Sequence, residues 1–278
     1  MKKEIYILLF FVALFGSCQR GNNANVGKRV ITVTIEPLRY FTEYIAGDKF
    51  EVETMVPDGA NPETYEPSVK QMISLSHSDL YIKVGAIGFE RTWMKRLKDS
   101  APHISVVDSS DGIEFIKDAN GIIDPHVWMS PANAIVMAKN IYRALADVDS
   151  KDSLYFKKNL ERFCSNMSVV DQEIRNLINK NKTTTFMIYH PILTYFAKDY
   201  GLVQIPLEEE GREPSARQLK DIISRADVSK VKVLLVQKEF SGRSTELVAN
   251  STRVRKVLIN PLGYDWQNEI INIARNLK

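Results

Sequence analysis

The pattern of hydrophobic and polar positions divides the chain after residue 28 into short β-rich runs that alternate with amphipathic helical segments. In the first half, four runs of aliphatic and β-branched residues predict strands, at residues 30–35, 51–56, 79–84 and 104–107. Helical patterns lie between them, at residues 38–46, 69–76 and 89–98. This alternation predicts a βαβ lobe with a mainly parallel sheet.

The same alternation returns in the second half of the chain. Strands are predicted at residues 183–189, 203–206, 231–236 and 256–259. Helices are predicted at residues 193–200, 215–226, 244–250 and 266–277. The fold class is therefore α/β, with a second βαβ lobe and a second mainly parallel sheet.

Two helices are predicted between these halves. Pro131 suits the first turn of a helix over residues 131–146. Residues 150–181 contain neither Pro nor Gly and predict one long amphipathic helix, on the order of 45 Å at 1.5 Å per residue. Such a helix can bridge two lobes, with a ligand cleft between them. We expect an N-terminal lobe at residues 29–148, a linking helix at 149–182 and a C-terminal lobe at 183–278.

The first 17 residues have the features of an export signal. Lys2 and Lys3 precede an apolar run at residues 5–14, and small residues precede Cys18. The run is about half of the roughly 20 residues that span a bilayer, so we expect cleavage and no permanent transmembrane helix. Small residues before a Cys resemble a bacterial lipobox, which implies lipidation of Cys18. We then expect residues 18–28 to form a flexible polar tether and the protein to be exported and membrane-anchored, facing the periplasm or the cell exterior.

Composition narrows the picture further. A hydrophobic content of 44% indicates a folded core, and 37 Lys and Arg against 34 Asp and Glu give a net charge of +3, which does not indicate nucleic-acid binding. If Cys18 is lipidated, only Cys164 remains, so the core must provide stability without an intramolecular disulfide. Cys164 lies in a hydrophobic stripe at helical spacing, and we expect it to fill the core rather than bind metal.

Two of the four His residues lie where α/β proteins bind ligands, in loops after strands. His126 stands in the segment Asp-Pro-His-Val-Trp at residues 124–128, and His190 directly follows a predicted strand. His is a common ligand of transition metals, and Asp124 could fix the tautomer of His126. From spacing alone, a structural role for both His residues stays open. His77 and His103 are expected to face solvent.

Several segments, taken in order, resemble the zinc and manganese receptors of bacterial ABC importers, the metal-binding substrate-binding lipoproteins of cluster A-I. The segments are residues 37–41, 45–48, 56–67, 124–128, 189–191, 211–215, 240–241 and 261–263. They include Pro-Asp-Gly-Ala-Asn-Pro-Glu-Thr-Tyr-Glu-Pro within the third segment and Pro-Leu-Gly in the last. The resemblance covers nearly the whole chain.

The resemblance implies four metal-ligand positions, one in each of four loops, and here they are occupied by Glu63, His126, His190 and Asn260. The two His residues match the family pattern, whereas Glu63 replaces the usual His and Asn260 replaces the usual Asp. A Glu oxygen binds zinc and manganese alike, but Asn offers only a neutral amide oxygen.

A further carboxylate could come from the glutamate run at residues 208–210, for example from Glu210, or from Glu239. For residues 208–210 a solvated loop is the favoured interpretation, and Glu63 has the alternative of an exposed turn residue.

The resemblance also implies the ligand and the partner. The expected ligand is one divalent transition metal ion, carried as cargo, with zinc favoured and manganese or iron also compatible with two imidazoles and oxygen donors. The His-rich loop of many zinc receptors has no counterpart, because residues 109–123 contain no His. The expected partner is the membrane subunit of an ABC permease, with no nucleic acid, and the protein is expected to be a monomer.

Three classes of function stay open from the sequence. The favoured class is a binding protein that performs no reaction. The second is a family member with a degenerate metal site that acts as an adhesin or binds an organic solute. The third is a metal-dependent hydrolase with Glu63 or Glu239 as general base, against which stands the absence of a His-Glu-x-x-His or nucleophile-elbow motif.

Overall fold

The computed structural model describes residues 28–118, 120–182, 184–208, 212–240 and 243–278. The expected signal segment, Cys18, nearly all of the tether and Glu210 lie outside these residues, as does the side chain of Glu239. The roles assigned to these residues from the sequence therefore stay predictions.

The first lobe is built on a four-stranded parallel sheet. Its strands are β1 (Arg29–Val33), β2 (Phe50–Thr54), β3 (Ser78–Lys83) and β4 (Ser105–Asp108), in the order β2-β1-β3-β4. Its helices are α1 (Glu36–Ala46), α2 (Val69–Leu75) and α3 (Gly88–Ser100). Ser68 begins α2 with a capping box, in which its hydroxyl accepts the Gln71 N–H. Each helix connects one strand of the sheet to the next strand along the chain, as the alternating pattern predicts.

Two helices lead from the first lobe to the second. Helix α4 (Pro131–Val148) begins where the Ser130 hydroxyl accepts the N–H of Asn133. Helix α5 (Ser153–Asn181) has 29 residues and a length of about 44 Å. It begins three residues later than predicted because Ser150–Asp152 form a tighter 3₁₀ turn. Helix α5 packs against α1 and α4 of the first lobe and against the last helix of the second lobe.

The second lobe repeats the architecture. Its strands are β5 (Thr185–Ile188), β6 (Val203–Pro206), β7 (Val233–Gln237) and β8 (Arg255–Ile259), all parallel in the order β6-β5-β7-β8. Its helices are α6 (Thr194–Tyr200), α7 (Ala216–Val228), α8 (Arg243–Thr252) and α9 (Trp266–Asn276). The α/β class and the bridging helix are confirmed, and element ends differ from the prediction by no more than about three residues. The domain boundaries at residues 148 and 182 stay a prediction.

Alternation along the strands of the second sheet gives it two buried faces. Phe186 and Ile188 belong to the large core that continues into α5 and the first lobe, whereas Met187 belongs to a smaller core with Ile222 and Val248 on α7 and α8. A parallel sheet covered on both sides explains why these strands have nearly continuous hydrophobic sequences. Within the described part of the chain, no helix combines the length and the apolar character needed to cross a bilayer.

Two tryptophans fasten the lobes to each other. The Trp128 indole N–H donates to the carbonyl of Pro261 at 3.0 Å, and the Trp266 indole N–H donates to the carbonyl of Trp128 at 2.9 Å. Both side chains are buried, at 1% exposure. Because a buried polar group without a partner is costly, these reciprocal bonds fix the relative position of the two lobes.

Replacing Trp266 by Phe should destabilise the protein by about 2 to 4 kcal/mol, because the Trp128 carbonyl loses its donor and a buried ring loses volume. Urea unfolding followed by circular dichroism measures the change. Trp93→Phe, at a half-buried position on α3, is the control and should cost less than about 1 kcal/mol. Equal losses in the two variants would contradict the fastening role of Trp266.

Candidate metal centre

The structure brings the two predicted imidazoles together in the cleft. His126 precedes the 3₁₀ turn Val127–Met129 that leads into α4, and His190 lies two residues after the end of β5. Their Nε2 atoms are 3.2 Å apart, and the rings meet edge to face at 82°. Residues 64 positions apart in the sequence thus point the same ring atom at one place.

Asp124 fixes the orientation of His126, as predicted. Its Oδ1 bonds to the His126 Nδ1 at 2.8 Å and accepts the His126 backbone N–H at 2.9 Å. Burial raises the pKa of the Asp124 carboxyl, but the bonds from His126 and Thr194 outweigh burial and hold that pKa below its ordinary value. The Asp124 carboxylate is therefore a suitable acceptor for a proton carried on Nδ1.

Glu208 plays the corresponding part for His190. Its Oε1 bonds to the His190 Nδ1 at 2.9 Å, and the Glu208 residue is only 6% exposed. The expectation of a solvated loop was therefore wrong at this residue, because the chain after β6 turns inward and places the carboxylate against the ring. The feature of the sequence that could have indicated this is that Glu208 lies two residues after the end of β6.

Gln237 is a residue that the sequence analysis missed. It is buried, its amide donates to the His190 carbonyl at 2.6 Å, and its Oε1 accepts the His190 N–H at 3.3 Å. The two bonds hold the backbone of His190 from β7. The feature of the sequence that could have indicated this role is a polar residue at the end of the hydrophobic strand Val-Leu-Leu-Val-Gln.

The imidazoles face a small cavity of about 150 Å³. Its polar lining comes from both lobes and consists of Asn61, Glu63, Thr64, His126, His190, Glu208 and Gln237. Trp128, Ile192, Phe240 and Leu262 supply much of the apolar wall. Electrostatic interactions are stronger beside such a wall than in water.

Glu63 lies at this cavity, but its carboxylate is bonded elsewhere. Its Oε1 accepts the Gly88 N–H at the start of α3 at 3.1 Å, and its Oε2 lies 3.3 Å from the Arg91 Nη2. The side chain is 36% exposed. The structure therefore places Glu63 at the rim, and its assignment as a ligand stays a prediction.

Asn260 follows β8 and connects the two lobes. Its Nδ2 donates to Asp58 at 3.0 Å, and its backbone N–H donates to Glu269 at 2.8 Å. The Asn260 Oδ1 is buried and has no hydrogen-bond partner among the described residues. The next two residues, Pro261 and Leu262, line the cavity. A buried acceptor without a donor is compatible with a cation ligand, and this assignment also stays a prediction.

The arrangement of the imidazoles suits a metal ion. In the tautomer in which each Nδ1–H donates to its carboxylate, each Nε2 carries the lone pair that a metal ion accepts. Two nitrogens on a tetrahedral zinc ion, at about 2.0 to 2.1 Å from it, are separated by about 3.3 Å, close to the spacing found here. Among the described residues, no three His, Cys, Asp or Glu side chains are grouped so that they could hold a metal ion. The His pair is therefore the preformed part of the site.

The other predicted residues lie away from this cavity. His77 and His103 are exposed, as expected. Cys164 is half-buried on α5, so it fills the core only in part, and burial raises the pKa of its thiol. A raised pKa keeps the thiol protonated and unsuited to metal binding.

Fold and cleft together define a two-lobed α/β binding protein with an imidazole pair between its lobes. The sequence profile of the family described as zinc-uptake complex component A, periplasmic (ZnuA), matches residues 31–277, and the chain belongs to this family. The family consists of metal-binding substrate-binding proteins of ABC importers and not of enzymes. The hydrolase alternative is thereby removed.

Individual relatives agree with this membership. The chain is 31% identical over 275 residues to the metal ABC transporter substrate-binding lipoprotein FimA of Streptococcus parasanguinis, covering 91% of this chain and 88% of the relative. It is 25% identical over 273 residues to the high-affinity zinc uptake system protein ZnuA of Bacillus subtilis, covering 91% and 85%. A crystal structure of ZnuA superposes with a TM-score of 0.86 at 34% identity, covering 90% of this chain and 97% of that one.

The contact between Asn260 and Asp58 generates a prediction about stability. Asn260→Asp should destabilise the metal-free protein by about 1 to 2 kcal/mol, because a donor is lost and two carboxylates then face each other across the lobes. Thermal and urea unfolding measure the change. Asn176→Asp, at an exposed position of α5, is the control and should stay within about 0.5 kcal/mol. A metal-free Asn260→Asp variant as stable as the parent would show that the contact is not formed.

Proposed function

We propose that the protein captures one divalent transition metal ion, zinc in preference to manganese or iron, and delivers it to the membrane subunit of an ABC permease. The observation that carries the proposal is the convergence of the His126 and His190 Nε2 atoms at 3.2 Å. A carboxylate holds the opposite nitrogen of each ring. This is the arrangement by which proteins orient metal-binding imidazoles.

Zinc is proposed because two of the expected donors are imidazole nitrogens. Affinities of nitrogen and oxygen sites generally place zinc above manganese and iron. Glu63 and Asn260 are the proposed oxygen donors, and Glu210 or Glu239 could add a carboxylate. Relatives include proteins named for zinc and others named for manganese, such as PsaA of Streptococcus pneumoniae, which is 31% identical. The names of these relatives support a transition metal as the ligand. The choice of zinc over manganese is therefore proposed from the donor atoms.

Transport of a metal is favoured over the adhesive or organic-solute alternative. A drug-sized organic ligand needs a pocket of about 300 to 1,000 Å³, and the cavity here is about 150 Å³. The names of the relatives FimA, PsaA and ZnuA all describe metal transport or uptake.

The first test removes the imidazoles one at a time. His126→Ala and His190→Ala should each weaken zinc binding by more than about 100-fold, because the loss of a direct ligand exceeds the 10- to 100-fold typical of second-layer partners. Competition calorimetry measures affinity, and elemental analysis with native mass spectrometry gives stoichiometry. His77→Ala, at an exposed position, is the control. Wild-type affinity in both variants would refute the site.

The Asn260→Asp variant extends this test. If position 260 holds a ligand, zinc should stabilise the variant more than the parent, since the ion offsets the repulsion between the new carboxylate and Asp58. A zinc-induced shift in melting temperature equal to that of the parent would remove Asn260 from the ligand set.

Membrane attachment is the second part of the proposal. The chain is proposed to be a monomer outside the cytoplasmic membrane, held by lipid on Cys18, and relatives named as lipoproteins support this. Cys18→Ala should move the protein from the membrane fraction to the soluble fraction, because its only proposed anchor is lost. Immunoblots of fractions after a high-salt wash measure this. Retention of the variant, with its signal uncleaved, would point to a transmembrane anchor instead.

A further inference from the structure

The carboxylate of Glu63 is held in a defined position away from the imidazole pair. It bonds to the Gly88 N–H and to the guanidinium of Arg91. Arg91 is itself held, because its Nη1 also donates to the carbonyl of Ala86. An acidic side chain at the edge of the cleft therefore has a cationic partner supplied by the first turn of α3.

The surroundings keep this turn in place. Glu90 is 4% exposed, and its carboxylate accepts the N–H groups of Val84 at 2.6 Å and Gly85 at 2.7 Å. The turn that precedes α3 is thus fixed by a buried side chain. At the start of α3, the Gly88 N–H donates to the Glu63 carboxylate and the Phe89 N–H donates to the Pro62 carbonyl at 2.9 Å, and the helix N-terminus adds a partial positive charge.

Gly88 makes the close approach of Glu63 possible. A Cβ atom at position 88 would lie 2.1 Å from the Glu63 Oε2 and 2.9 Å from its Cδ. The backbone at Gly88 has no positive φ, so Ala is compatible with its conformation. The same Cβ atom would lie 3.2 Å from the Glu63 Cα, so an alanine here requires a small adjustment of the Glu63 backbone and displaces the carboxylate, which is the movable end of a flexible chain.

We propose that Arg91 and the N-terminus of α3 compete with the metal ion for the Glu63 carboxylate, so that Arg91 sets the affinity of the site. A cation in the cleft and the guanidinium attract the same negative charge, and a carboxylate bonded to one is withdrawn from the other. The inference rests on the proposed function, specifically on Glu63 as a metal ligand. Arg91 is a positioning residue, since it acts through Glu63.

The test is the zinc affinity of Arg91→Gln, measured on the full mature chain by competition calorimetry. Affinity should rise about three- to five-fold, because the exposed ion pair that is removed contributes modestly and the helix N-terminus still holds the carboxylate. Arg91→Lys should stay near the parent value. Arg96→Gln, on the same helix and beside Trp93, removes the same charge and should change affinity less than two-fold. An Arg91→Gln effect no larger than that of Arg96→Gln would overturn the inference.

Gly88→Ala provides a second, uncharged test. It should also raise zinc affinity, by about two- to five-fold, because the methyl group excludes the docked carboxylate. Its melting temperature without metal reports whether the variant is folded. A folded variant with unchanged affinity would overturn the inference.

The Glu63→Gln background separates the two proposals. There, Arg91→Gln should have no effect beyond that of Arg96→Gln, since the shared carboxylate is absent. If Glu63→Gln itself leaves zinc affinity unchanged, Glu63 is not a ligand and the inference fails, while zinc binding by the His pair still stands. If the parent protein binds no zinc, the proposed function fails.

Discussion

The position of one lobe against the other is the constraint on which the site depends. A pair of imidazoles from two lobes keeps a spacing of 3.2 Å only if those lobes are held rigidly. Trp128, two residues after His126, provides this, since its indole and its carbonyl are both bonded to the second lobe. The Tyr195 hydroxyl on α6 adds a bond to the Asp124 carbonyl at 2.8 Å. The segment that carries His126 is therefore attached to the second lobe at two places.

Charge in the cleft is arranged in layers. The imidazoles face the cavity, and Asp124 and Glu208 lie behind them, each with its carboxylate against an Nδ1 atom. A carboxylate bonded to each ring makes the cavity favourable for a cation. Trp128 and Phe240 line the cavity with apolar surface, so this attraction is screened less than at the protein surface. The two imidazoles thus define the position at which a cation would bind, and the carboxylates of Asp124 and Glu208 supply the negative charge that attracts it.

Sequence reasoning predicted the elements well, because the strands of a parallel sheet are hydrophobic runs and the helices are amphipathic. It placed His126 and His190 in one cleft because strand ends of α/β lobes converge there. It did not predict that Glu208 turns inward or that Gln237 clamps the His190 backbone. Both features depend on contacts between chain segments that are distant in sequence. The hydrophobic periodicity of a sequence does not indicate such contacts, because a single polar residue such as Glu208 contributes no periodic pattern. The docking of Glu63 on Arg91 was hidden for the same reason.

The two departures from the family pattern each come with a partner in this chain. Glu63 has Arg91 and the Gly88 N–H, and the Asn260 amide has Asp58. An aspartate at position 260 would repel Asp58 until a cation came between them, whereas the amide bonds to it directly. The hydrogen bond between Asn260 and Asp58 therefore joins the two lobes without needing a cation between them. Under the proposed function, a metal ion would therefore gain less from joining the lobes at Asn260 than at an aspartate, because the amide already bonds to Asp58.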